Sequence, residues 1–207
     1  MKLYNDDQSP NCLRVRAVAF ELGAELEIVP IDLRKAASHP ELVALNLNGK
    51  VPVLVDDDFV LWESRAINAY LAKKHPEKNL YPQDVRRAAL VDQWSFWQAI
   101  HLGPPMQKVA FERFVKQRYG LGEPDEAAAA ASHKEAVRYL AVLEHGLEQR
   151  EWVAGELSLA DFALASTFMF RVPAGISLQE FPRVSAWIER MEARDSWQRA
   201  VAPLPKV

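Results

Sequence analysis

The stretch from Leu45 to Ile67 reads LNLNGKVPVLVDDDFVLWESRAI. Val51–Val55 and Phe59–Leu61 are apolar runs rich in β-branched and aromatic residues, set on either side of Asp56-Asp57-Asp58. That pattern predicts a hairpin. Ser64 then stands before a helical pattern from Arg65 to about Lys74, where Ser is a favoured cap. Upstream, Lys2–Tyr4 and Glu27–Ile31 read as strands. Between them Leu13, Val15, Ala17, Val18, Phe20 and Leu22 make a helical apolar face closed by Gly23. Strand, helix, strand opens a parallel sheet. The first part is therefore βαβ, an irregular or helical piece from Arg34 to Asn48, then ββα. Downstream, HPEKNLYPQD at 75–84 has the prolines and polarity of a surface linker. Everything after residue 86 has helical periodicity, with helices expected at roughly 86–101, 106–118, 125–149, 159–171 and 182–194. The expected domains are 1–76 and an all-helical 86–207, joined by a linker at 77–85.

Composition narrows the function. The 207 residues carry 25 basic and 28 acidic side chains, a formal net charge of −3. Such a balance offers no field for a phosphate backbone, so nucleic acid is not an expected partner. The chain opens MKLYNDDQ, without the basic start and apolar run of a secretory signal, so a cytoplasmic location is expected. The most apolar segment, Leu159 to Phe170, is too short for a bilayer and carries Asp161, so it reads as a buried helix, not a membrane span. Cys12 is the single cysteine, which excludes an intrachain disulfide. His39, His75, His101, His133 and His145 never share the spacing that aims two ligands at one ion. No metal site is expected.

Four motifs can carry chemistry, and each has a purely structural reading beside the functional one. Ser9-Pro10-Asn11-Cys12 lies where the first strand turns into the first helix. Ser9 there is a cap, with Pro10 at the first helical position. Alternatively its hydroxyl, beside unpaired N–H groups at the positive end of a helix, donates to a bound thiolate. That would lower a thiol's pKa from ~8.5. Gly49-Lys50-Val51-Pro52-Val53 places a proline at the head of a strand. It is either a plain edge or a site where Val51 pairs its backbone with a peptide-like ligand. Glu63-Ser64 is a cap and a solvated acid, or a complement to an α-amino acid head group. Ser158-x-x-Asp161, with Leu157 and Phe162 as a hydrophobic staple, is a capping box that starts a buried helix.

With these four motifs in this order, the chain resembles the cytosolic glutathione S-transferase superfamily over nearly its whole length. The resemblance implies a thioredoxin-like N-terminal domain with a mixed four-stranded sheet, and an all-α C-terminal bundle. It also implies a homodimer, glutathione as co-substrate and a small hydrophobic electrophile as partner. Ser9 matches the catalytic serine of serine-type classes, with Asn11 among the glutathione contacts. Val51-Pro52 matches the family's cis-proline step, and Glu63-Ser64 its pair for the γ-glutamyl end. Lys50, with Arg34 and Lys35, is implied to face the glycyl carboxylate. SPNCLRVRAVAFELG followed by the Leu45–Ile67 stretch looks like bacterial serine-type members. Pro10-Asn11 stands where the maleylacetoacetate isomerase-like class has a Ser-Cys continuation, so that activity is not expected. Cysteine-type classes place their thiol near Ser9, so Cys12 does not match it. Phe96, Trp97, Met106, Phe111 and Phe114 come from helices that wall the second substrate site in relatives, with Phe168 and Arg171 closing it. Gln98 and His101 are polar candidates there. Aromatics at helical spacing are also ordinary core residues.

The leading expectation is an enzyme whose glutathione thiolate attacks an electrophilic carbon. A second reading turns the same thiolate on peroxides or disulfides. A third keeps the fold as a non-catalytic interaction module, against which the retention of Ser9, Lys50, Pro52, Glu63 and Ser64 argues.

Overall fold

The computed structural model describes residues 1–202. Among them the chain divides into two compact units, one of Met1–Pro82 together with the segment from Glu192 onward, the other of Gln83–Met191.

In the first unit the elements are β1 (Lys2–Asn5), α1 (Pro10–Leu22), β2 (Glu27–Pro30), α2 (Pro40–Leu45), β3 (Val53–Asp56), β4 (Phe59–Trp62) and α3 (Ser64–Lys74). The sheet runs β2-β1-β3-β4, with β1 parallel to β2 and antiparallel to β3, and β4 antiparallel to β3. This is the mixed sheet of a thioredoxin-like domain. The Arg34–Asn48 piece, left open as irregular or helical, contains a single 3-10 turn at Ala36–Ser38 and then α2. Asp57 takes a left-handed φ of 53° at the hairpin tip, a conformation that Asp tolerates better than most residues.

Helix α1 is buried on nearly every side, from Cys12 to Ala19, because the sheet, α3 and a C-terminal helix all cover it. Gly23 ends it at φ 73°, donating back to the carbonyls of Ala19 and Phe20. The C-terminal helix is α10 (Asp195–Val201), which sequence periodicity missed. The buried Arg16 donates to the Ala200 carbonyl at 3.1 and 2.8 Å, and Glu21 accepts from Arg194 and Ser196. Arg199 lies 4.4 Å from the centre of the Phe20 ring. These bonds place α10 in the first unit, a correction to the expected helical domain of 86–207.

The second unit holds α4 (Val85–Trp97), α5 (Gly103–Ala110), α6 (Lys116–Tyr119), α7 (Glu126–Gly146), α8 (Leu159–Ala165) and α9 (Pro182–Glu192). The expected break between 101 and 106 is absent. The helix runs on from residue 85 to 119 through two π-helical segments, Gln98–Leu102 and Phe111–Val115. Pro104 and Pro105 bring no N–H to the ladder. The Gly103 N–H instead reaches back to Gln98 O, and a Cβ on Gly103 would lie 2.7 Å from that oxygen. The chain widens by one residue per turn where the prolines would otherwise break it.

Asp161 anchors the core of this unit. It is fully buried and accepts from Ser158 N–H at 3.0 Å, Ser158 Oγ at 3.1 Å, Val153 N–H at 3.1 Å and Trp187 Nε1 at 3.0 Å. The capping box read from the sequence is present, and it is also the knot that joins the 153–158 loop to α9.

Candidate active site

Register alone gathers the polar motifs of the first unit. Tyr4 pairs with Val53 and Val53 with Trp62, while Asn5 pairs with Pro30. The C-terminal ends of β1, β2 and β4 therefore share one end of the sheet with the N-terminal end of β3. Ser9 follows β1, Arg34 and Lys35 follow β2, Lys50-Val51-Pro52 precede β3, and Glu63-Ser64 follow β4. Residues scattered from Ser9 to Ser64 thus leave the sheet at one end.

Ser9 caps α1 with extended backbone (φ −90°, ψ 117°), and its Oγ accepts from Cys12 N–H at 3.3 Å. A hydroxyl used as an acceptor keeps its own proton to donate. The loop presenting it is held by Asp6, whose carbonyl accepts from Ser9 N–H at 3.1 Å. The Asp6 carboxylate accepts from Gln8 N–H at 2.7 Å and Leu33 N–H at 2.9 Å. Nothing in the sequence pattern singled out Asp6. Asn11 is exposed beside Ser9. Cys12 points the other way, into the core with Tyr4, Ile31, Leu42, Val51 and Val53. Burial pushes its thiol up to about 11, so it is protonated at neutral pH and a poor nucleophile. Tyr4 is equally unavailable: its hydroxyl donates to Glu41, and that bond, with burial, pushes it up to about 12.

The segment before β3 is organised by Asn46, a second residue that the sequence reading passed over. Its side chain is buried, donates to Lys50 O at 2.8 Å and accepts from Asn48 N–H at 3.1 Å and Asn48 Nδ2 at 2.9 Å. An Asn two residues before a polar turn residue is the signal that could have found it. Gly49 is required here, since φ is +58° and a Cβ would lie 2.7 Å from Ala37 Cα. The Val51–Pro52 peptide is cis. Lys50 and Lys35 are exposed, whereas Arg34 grips Asp32 bidentately at 2.8 and 2.6 Å. That pairing draws the Asp32 carboxyl down to about 2 and commits the Arg34 guanidinium locally.

At the third junction the structure corrects the expected cap. Glu63, not Ser64, occupies the capping position, and Ser64 is the first residue of α3. Glu63 is exposed, with φ 74°, a conformation that costs a non-glycine residue about 1–3 kcal/mol and that clusters at functional sites. Ser64 is buried, and its Oγ accepts from Arg14 Nη1 at 3.3 Å.

The second-unit candidates separate by burial. Met106 and Phe168 are fully buried, Phe168 edge-on to Trp187, so both are core residues and neither can wall a substrate site. Their helical spacing served packing. Phe96 (60% exposed) and Phe111 (39%) reach the surface, while Phe114, stacked near Phe170, Trp97 and Arg171 are half-buried. Gln98 is buried and donates to Thr167 Oγ1 at 2.7 Å, and His101 is exposed against Tyr139. Trp94 is buried over Gly146, where a Cβ would come within 2.4 Å of the ring. Among the described residues no group of His, Cys, Asp and Glu could hold a metal ion, and no helix is long and apolar enough to cross a membrane.

The thioredoxin-like unit gathers a serine-capped helix, a cis-proline strand and a Glu-Ser junction at one end of its sheet. The N-terminal domain model of glutathione S-transferases matches residues 1–73, and the C-terminal domain model matches residues 102–195. Glutathione S-transferase 3 of Zea mays is 36% identical, with 99% of this chain and 95% of the relative aligned. Glutathione transferase F7 from Populus trichocarpa superposes with a TM-score of 0.89 at 28% identity, covering 96% of each chain. Glutathione S-transferase I from mais, in complex with an atrazine glutathione conjugate, gives 0.87 at 32% identity, covering 97% of this chain and 95% of that one. The chain belongs to the glutathione S-transferase family. These relatives are plant proteins and lend no support to the bacterial affinity that the resemblance suggested.

Proposed function

We propose that the chain is a serine-type glutathione transferase, in which the Ser9 hydroxyl donates a hydrogen bond to the sulfur of bound glutathione and so stabilises it as the thiolate. The thiolate then attacks an electrophilic carbon, the new S–C bond forming as the leaving group departs with its electron pair or a strained ring opens. What carries this reading is the sheet register, which brings Ser9, Val51-Pro52 and Glu63-Ser64 to one end. In this reading Glu63 takes the γ-glutamyl ammonium and Ser64 its α-carboxylate. Val51 pairs its backbone with the cysteinyl unit, Asn11 lies alongside, and Lys50 with Lys35 faces the glycyl carboxylate. Arg34, engaged with Asp32, contributes less. Phe96, Trp97, Phe111, Phe114 and Arg171 are the candidates for the electrophile's side. The conjugate bound to the mais relative supports transfer over reduction. So does Cys12, a buried thiol that offers nothing to a mixed disulfide. On this reading the enzyme works in the cytoplasm, where reduced glutathione is the ambient thiol.

Glu63→Ala and Ser64→Ala should each weaken glutathione binding by about 1.5–3 kcal/mol, the scale of a charge-assisted hydrogen bond. Calorimetric titration checks this, and unchanged affinity in both would move the site elsewhere. Asn46→Ala should weaken binding about tenfold without touching the ligand, because it frees the Lys50 carbonyl that steadies the strand before Val51. A crystal structure of the variant with an unmoved 46–51 loop and wild-type affinity would refute that role.

The enzyme is proposed to be a homodimer, as family membership suggests. Val85, Leu90 and Ile100 remain exposed along the long helix as apolar surface for a second copy. Light scattering at micromolar concentration should give about twice 23.4 kDa, and a mass of one chain would contradict it.

A further inference from the structure

Arg16 lies one turn beyond Cys12 on α1, its side chain 2% exposed. A guanidinium presents its donors in a fixed planar fork, so it can tie two places together at a set angle. Here Nε and Nη2 both donate to the Ala200 carbonyl, at 3.1 and 2.8 Å, in the last turn of α10. Nη1 faces the loop between β1 and α1. There it donates to Asn5 Oδ1 and stands 3.4 Å from Asp7 Oδ1. The Asn5 side chain is itself buried, and its Nδ2 donates to the same Asp7 oxygen at 3.0 Å. Arg16, Asn5 and Asp7 thus close a triangle. Burial lowers the pKa of Arg16, and the Asp7 carboxylate is the foremost group that opposes the fall.

Between the two gripped residues stands Asp6, whose carbonyl accepts from Ser9 N–H at 3.1 Å. The Ser9 backbone therefore hangs on a segment that Arg16 holds on both flanks. The other end of this chain of bonds is fixed as well: Trp197 and Ala200 are buried, and Glu21 accepts from both Arg194 and Ser196. A hydrogen bond weakens steeply as it leaves its line, so a small tilt of the loop is enough to spoil the aim of a hydroxyl at an anion.

We propose that Arg16 is a positioning residue for Ser9: by tying Asn5 and Asp7 to the end of α10, it sets the angle at which the loop presents the Ser9 hydroxyl to the glutathione sulfur. Arg16 touches no ligand; it acts through the loop. This rests on the thiolate-stabilising reading of Ser9, and the test tells the failure of one from the failure of the other.

The thiolate absorbance of bound glutathione is titrated in the full chain, in Arg16→Met, Arg16→Lys, Asp7→Ala and Ser9→Ala, and in Arg16→Met combined with Ser9→Ala. Arg16→Met should raise the pKa of bound glutathione by at least about half a unit, which is about threefold less thiolate well below that pKa. Arg16→Lys should recover only part of this, because one ammonium cannot serve both the Ala200 carbonyl and the loop. Full recovery would mean that charge alone matters and would overturn the proposal. The field of a lost positive charge also survives removal of the serine hydroxyl, whereas a lost alignment does not. In the Ser9→Ala background Arg16→Met should therefore add less than about 0.2 units, and an equal rise in both backgrounds would overturn the proposal. A parental pKa in Arg16→Met beside a lowered Tm would mean a structural role and would overturn it too. If Arg16→Met does not fold, Asp7→Ala decides by sign. Removing a negative charge two residues from Ser9 lowers the pKa through its field, while freeing the loop raises it. A rise supports the proposal, and an unchanged or lowered value overturns it. Should Ser9→Ala itself keep the parental pKa, the Ser9 reading falls and this proposal with it.

Discussion

Asp161→Ala should destabilise the protein by about 3–5 kcal/mol, read by urea denaturation, because it strands four donors in a dry core. Ser158 N–H, Ser158 Oγ, Val153 N–H and Trp187 Nε1 all converge on this one carboxylate. A loss below about 1 kcal/mol would mean that the knot is dispensable. The same residue gives the stability a pH dependence of known sign. Burial pushes Asp161 up to about 6 against the opposing pull of its hydrogen bonds, while the unfolded chain releases this proton near 3.8. Between those values the folded state binds more protons, so stability from this group is full below about pH 4 and falls as pH rises through 6. The fall is roughly 3 kcal/mol. Asp161→Asn cannot titrate, so its deficit relative to the parent should shrink by that amount as pH rises from about 4 to about 7. A deficit that widens would contradict the burial argument.

Ser9→Ala should cut turnover by about 10²–10³, the effect of losing one donor to a developing or resident anion, with a smaller change in glutathione affinity. As a mere cap its loss would cost only about 1 kcal/mol of stability. Cys12→Ala, three residues on, should keep its activity and lose about 1–2 kcal/mol of packing, since Cys12 behaves as a small buried hydrophobe. Denaturant melts beside steady-state rates separate the two. A dead Cys12→Ala with normal stability would transfer the chemistry to sulfur.

What could be read from the sequence was what local chemistry determines. The hairpin announced itself by two apolar runs around three aspartates, the first helix by Ser9-Pro10 at one end and Gly23 at the other, and the buried helix by Ser158-x-x-Asp161. Each is settled within a few residues. Asp6 was not legible, because it bonds the Leu33 N–H, whose position only the folded chain defines, whereas Asn46 carried a local turn signal in its bond to Asn48, two residues on. Arg14 and Arg16 were missed for a related reason: periodicity assigns charges to solvent, and α1 has almost no solvent face. Met106 and Phe168 misled in the opposite direction, since apolar side chains at helical spacing look alike whether they wall a site or fill a core. Gly103-Pro104-Pro105 read as a break because the π-helical detour that absorbs two prolines needs Gln98 five residues earlier. α10 is seven residues long, too short for a pattern, and exists because Arg16 and Glu21 hold it.

The role proposed for Ser9 is to keep bound glutathione ionised. Titrating the ultraviolet absorbance of the thiolate in the binary complex, in the parent and in Ser9→Ala, tests it most directly. In the parent, bound glutathione should have a pKa well below the ~8.5 of a cysteine thiol, and in Ser9→Ala that pKa should rise by at least about one unit. The same pKa in both proteins would contradict it.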